Sequence, residues 1–107
     1  MTVYVDDMYL SPMGRYGRMK MSHMIADTHN ELMKMATHIG LSHKWLQKKG
    51  SPDEHFDVSI EYRDRAIKAG AVPITMRELA VMTRKKRHDL VARITETSAQ
   101  RDGGSTD

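Results

Sequence analysis

The chain contains no cysteine. A disulfide framework, a thiolate metal site and a cysteine nucleophile are therefore excluded, and any metal must be held by histidine, carboxylate, carbonyl or water. No apolar run approaches the roughly 20 residues that a membrane-spanning helix needs, and the N-terminus lacks the basic-then-apolar layout of a secretion signal. The expected location is the cytoplasm, with no membrane partner. What is present, 39% hydrophobic and 29% charged residues in a length of 107, is the composition of one globular domain with a single modest core.

Charge is uneven rather than extreme. The net value is +3, but Arg84-Lys85-Lys86-Arg87-His88 forms one basic block, and Arg15, Arg18 and Lys20 form a looser one. The first reading of such a run is a solvated face. The competing one is a contact to phosphate or another anion, because clustered Lys and Arg raise the local potential. No nucleic-acid fold signature accompanies either block.

Along the chain, strand and helix patterns alternate. Residues 2–5 are β-branched and aromatic, a short strand. Residues 19–26 alternate, with Met19, Met21, His23 and Ile25 on one face and Lys20, Ser22, Met24 and Ala26 on the other. A Gly- and Pro-containing loop over 11–17 separates them. Thr28 and Glu31 have the spacing of a capping box, Leu32, Met35, Ala36 and Ile39 form an i, i+3, i+4, i+7 stripe, and Gly40 is placed as a left-handed C-cap. Residues 43–47 read as a third strand. A turn-rich loop over 48–54 follows, then a helix capped by Asp57 or Ser59 that buries Val58, Tyr62, Ala66 and Ala69. Residues 71–74 form a short strand confined to an edge by Pro73. Thr75 and Glu78 make a second capping box that opens a helix to about Ile94. This predicts one α/β domain over 1–94 and a flexible polar tail over 95–107. The ten methionines read as adaptable core filler, with a few available to line a partner surface.

The order β-β-α-β-α-β-α predicts a small, single-layer, mostly parallel sheet of about four strands with three helices. Ligands of such sheets bind beyond the carboxyl ends of the strands. That edge would gather Asp27, Gln47, His55, Asp57, Thr75 and Arg77, with helix N-termini near Thr28, Asp57 and Thr75 offering amides to an anion. Asp6 is conditional. A parallel first strand puts it beside Asp27, and an antiparallel one sends it to the opposite edge, next to Arg18 and Lys20. His23 is either a satisfied core histidine or a ligand, and Asp27 and Asp57 are either helix caps or site residues. His29, His38 and His43 are expected to be exposed.

The run Val3-Tyr4-Val5-Asp6-Asp7, the Ser22-His23-Met24-Ile25-Ala26-Asp27 segment, Ile39-Gly40-Leu41 with Trp45 and Gln47, the triplet His55-Phe56-Asp57, and Ala69-Gly70-Ala71-Val72-Pro73 together resemble the domain-of-unknown-function family 4031. The resemblance covers roughly residues 2–79. It implies a short bacterial or bacteriophage protein, hence the host cytoplasm if phage-encoded, and it implies no activity.

Two function classes follow, of which binding is the preferred reading and catalysis the alternative. In the first, the protein binds a phosphorylated small molecule or nucleic acid: helix N-termini with Arg18, Arg63 or Arg77 hold the phosphate, Trp45 or Tyr16 stacks on a base, and His23 and His55 orient it, to modulate a host process or defence. In the second, Asp6, Asp27 and Asp57 with His23 or His55 hold Mg or Mn for a phosphoesterase or nuclease, with His23, His55 and Asp57 as the catalytic candidates. A surface inhibitor of a host protein is a third class, and a homo-oligomer is compatible with all three.

Overall fold

The computed structural model describes residues 2–16 and 19–105, with the backbone alone for 15–16 and 96–105. It is an α/β fold of three helices on a mixed sheet. The central strand is β3 (Met19–Ala26), flanked by β1 (Val3–Val5) and β4 (Phe56–Ser59), both antiparallel to it. A two-residue β5 (Val72–Pro73) runs parallel to β1, and a two-residue β2 (Arg15–Tyr16) pairs antiparallel with the start of β3.

The expectation of a mostly parallel sheet is thus corrected: among the four strands β4-β3-β1-β5, only β1 and β5 are parallel. Two physical causes account for this. The segment after β1 holds no helix, only tight 3₁₀ turns at Met8–Leu10 and Pro12–Gly14, and a parallel crossover needs about a dozen residues or more. Further on, residues 43–47 are not a strand. Ser42 Oγ accepts from Lys44 N, and His43–Trp45 forms a 3₁₀ turn. After α1 the chain turns back through residues 40–55 without adding a strand at 43–47, and it enters β4 antiparallel to β3.

The helices follow their caps. Helix α1 (His29–Ile39) starts at Thr28, whose Oγ1 accepts from Glu31 N, and ends at Gly40 with φ 82°. Its stripe buries Leu32, Ala36 and Ile39 and half-buries Met35. Helix α2 (Ile60–Lys68) is capped by Ser59, while Asp57 lies inside β4; Ala66 is buried, Tyr62 is half-buried and Ala69 is exposed. Helix α3 (Met76–Ser105) opens on a reciprocal box, Thr75 N to Glu78 Oε1 at 3.0 Å and Glu78 N to Thr75 Oγ1 at 3.1 Å. It continues past Ile94 to Ser105.

The core gathers alternate strand positions, Val3 and Val5, Met24 and Ala26, Phe56 and Val58, against Leu32, Ala36, Ile39 and Ala66. Each of the Val, Leu, Ile, Met and Phe side chains contributes about 1.5–3 kcal/mol by leaving water. Because strand side chains alternate, Asp6, His23, Asp57 and Ser59 fall on the other face. Only Met8 and Met24 of the described methionines are fully buried, so core filling accounts for a minority of them.

Candidate functional site

The antiparallel registers assemble the polar cluster. His23 is the cross-strand partner of Asp57. Asp6 continues the β1 ladder by donating its N–H to the His23 carbonyl at 3.0 Å. His55 enters two residues before Asp57 and is tied by a reciprocal bridge to Gln47, with N–H···O distances of 2.9 and 3.1 Å.

The Asp6 side chain is fully buried. Its Oδ1 accepts from His23 N at 2.8 Å and Met8 N at 3.2 Å, and its Oδ2 lies 2.7 Å from His23 Nδ1. Burial pushes this carboxyl up, but the hydrogen bonds from the His23 ring and the two amides outweigh it, so it sits below its ordinary value. The hydrogen bond to Asp6 raises the His23 imidazole above its ordinary value, against the pull of burial, with the Asp6 and Asp57 charges adding to the rise.

An ionised carboxylate only accepts, so the neutral His23 ring carries its proton on Nδ1 and presents the Nε2 lone pair. His55 is fixed in the same sense, with Nδ1 2.7 Å from the Asp53 carbonyl oxygen. Both Nε2 atoms face Asp57 Oδ1, His55 at 3.5 Å and His23 at 3.9 Å, and the two rings meet edge to face at 5.1 Å. Gln47 Nε2 holds the other Asp57 oxygen at 2.6 Å. With the His23 ring neutral, three electron-rich atoms converge, an arrangement that a cation, or a proton on His23 Nε2, relieves. Two ligands about 2.1 Å from one ion at the tetrahedral angle lie about 3.4 Å apart. His23, His55 and Asp57 are the only three-ligand group among the described residues, their ligand atoms all within 4.8 Å. Partners at the far nitrogens, a carboxylate for one ring and a carbonyl for the other, are the usual supports of metal-bound imidazoles.

The cluster opens on a cavity of about 720 Å³. His23, Gln47, Asp57, Ser59 and Tyr62 give its polar side, and Met8, Met13, Met19, Met21, Leu41 and Trp45 the rest. Gly14 completes the wall.

The other expected site residues are distributed as follows. Asp27 lies at the opposite end of β3 from His23's neighbours: its Oδ2 accepts from Thr2 N at 2.9 Å, and the α1 cap is Thr28 rather than Asp27. Asp6 stands beside His23, neither with Asp27 nor at the Lys20 end. Arg63 donates from Nε to the Asp6 carbonyl at 2.9 Å and stacks over Tyr9. Thr75 caps α3 and Arg77 is exposed in its first turn; neither lines the cavity. Arg18 and the Tyr16 side chain lie outside the described residues. The three helix N-termini do not converge, because β4 opposes β3 and the starts of α1 and α2 fall at opposite sheet ends. His29, His38 and His43 are exposed, as expected.

Sequence reasoning missed the Asp53 carbonyl, the Ser59 and Tyr62 lining, and the methionine wall. The closeness of Met8, Met13, Met19 and Met21 within a short span was the one available signal.

No curated protein and no solved structure matches the chain. A family model described as protein of unknown function (DUF4031) matches residues 3–86, which include every member of the cluster. The chain belongs to the DUF4031 family.

Proposed function

We propose that the protein is a metal-dependent hydrolase in which His23 Nε2, His55 Nε2 and Asp57 hold one divalent cation. The observation that carries this reading is the convergence of two imidazole lone pairs on a carboxylate oxygen, each ring locked in its tautomer from behind. Three protein ligands leave a position for water, and a bound cation lowers the pKa of that water toward about 7. Held by His23, His55 and Asp57, the cation would supply an activated water for the hydrolysis of an ester. Two imidazoles favour zinc, iron or manganese over magnesium, which prefers oxygen ligands.

The binding of a phosphorylated ligand without metal has less support. No Lys or Arg lines the cavity among the described residues, so a phosphate there would depend on the cation. Isothermal titration with Zn²⁺ and Mn²⁺ tests the reading. One ion per chain is expected, with at least a tenfold loss of affinity in His23→Ala, in His55→Ala and in Asp57→Asn. Failure of either metal to bind or to raise the melting temperature, while nucleotides raise it, would overturn the hydrolase in favour of a nucleotide-binding module.

A further inference from the structure

Beside its polar side, the cavity has an apolar wall of Met8, Met13, Met19, Met21, Leu41 and Trp45, part of which is open to solvent. Met13 and Met19 are 76% and 53% exposed, and Trp45 is 59% exposed. The half-buried Met21 and the buried Leu41 continue the wall, and among the described residues the charged or titratable lining groups are His23, Asp57 and Tyr62. Burial of such side chains normally stabilises a domain, so the exposed Met13, Met19 and Trp45 around one opening gain nothing for the isolated chain. Methionine is unbranched and polarisable and fits ligands of varied shape. A volume of about 720 Å³ suits one organic molecule of moderate size, since ligand cavities span about 300–1,000 Å³. Among the described residues no Lys or Arg lines the wall, so a polyphosphate would meet no described side-chain cation there.

We propose that this cavity takes the uncharged aryl or acyl body of an ester and so delivers the scissile group to the metal position. The catalytic part of this statement rests on the metal reading above; the recognition of an apolar body does not. The methionine-lined wall selects the body, and the carbonyl or phosphoryl oxygen turns toward His23 and Asp57.

Trp45 is the only tryptophan, so its emission reports occupancy directly. The uncleavable anilide of octanoic acid is titrated into the full chain with and without Zn²⁺, beside ATP. A saturable change in Trp45 emission with the anilide and none with ATP is expected, weakened at least fivefold by Met21→Gln and by Met19→Gln, with zinc affinity unchanged. Release of 4-nitrophenol is then followed from 4-nitrophenyl octanoate and from bis(4-nitrophenyl) phosphate, which separates a carboxylic from a phosphoric ester; cleavage of either requires zinc and is lost in His55→Ala. Saturable ATP binding with no response to the anilide overturns the apolar-body proposal and leaves the metal reading intact. Anilide binding without zinc binding overturns the hydrolase and keeps the cavity. Emission that depends on protein concentration, with a dimer in sedimentation, means a second copy covers the wall and also overturns the proposal.

Discussion

The Asp6 side chain is fully buried and closely held. Its Oδ1 takes two backbone N–H groups and its Oδ2 takes the His23 ring, so all three bonds come from donors. In Asp6→Asn the amide oxygen stays with the two N–H groups, because its NH₂ would face donors there. The NH₂ then meets His23 Nδ1, which must accept, and the ring proton moves to Nε2. The expected result is a folded protein with a 10- to 100-fold loss of metal affinity and an exchange of the two ring-nitrogen signals of His23 in NMR. A ring that keeps its tautomer in the variant would show that Asp6 does not set it. The same pair governs pH dependence. The folded pKa of Asp6 is lowered, so its stabilisation is present above the ordinary carboxylate range and is lost as pH falls through the folded value. That of His23 is raised, so its stabilisation is complete below about pH 6.5 and is lost as pH rises through the folded value. Urea midpoints of the metal-free protein should peak at mildly acid pH, and both limbs should flatten in Asp6→Asn.

Among the elements, the turn pair between β1 and β2 decides the most. A Cβ at Gly14 would lie 2.2 Å from the Met8 carbonyl oxygen and 2.8 Å from that of Met21. Both neighbours are backbone, and neither yields without moving β3 or the first turn. Gly14→Ala is therefore expected to cost more than about 2 kcal/mol in chemical denaturation and to distort the cavity that Gly14, Met8 and Met21 share. A variant with unchanged stability would mean that the turns are not held against β3. The helix ends were legible in the sequence because caps act within four residues: Thr28 with Glu31, Ser59, Thr75 with Glu78, and Gly40 all act where their chemistry places them. Residues 43–47 were not, since a short apolar pair around Trp45 and Leu46 suits a strand until the Ser42 cap is weighed against it. His55 and Asp57 were legible as a pair, and their partner His23 became one only through the register of β3 and β4.

For the whole molecule, α3 fixes the fate of the basic block. Lys86 Nζ donates to the Ala26 carbonyl, and Arg87 pairs with Asp53 at 2.6 Å. Asp53 in turn holds His55 through its carbonyl, so the block docks the helix on the loop that carries a site residue. Burial lowers the Lys86 pKa, with Asp27 and Glu54 opposing it. Arg84, Lys85 and His88 are exposed. Past Arg87 the described side chains as far as Thr95 are exposed too. A chain ended after Thr95 should therefore melt within about 5 °C of the full chain, equivalent to about 1 kcal/mol, and keep its metal affinity; a larger drop would assign the distal helix a structural role. The sequence by itself determined the starts of the helices, their caps and the core stripe of α1, because these depend on near neighbours and on side-chain period. Strand direction and partnership depend on how a connection folds back and which edges remain free, and only the tertiary structure decided them. The tight turns after β1 made it antiparallel, and that single reversal set Asp6 behind His23 and left Asp27 at the far end of the sheet.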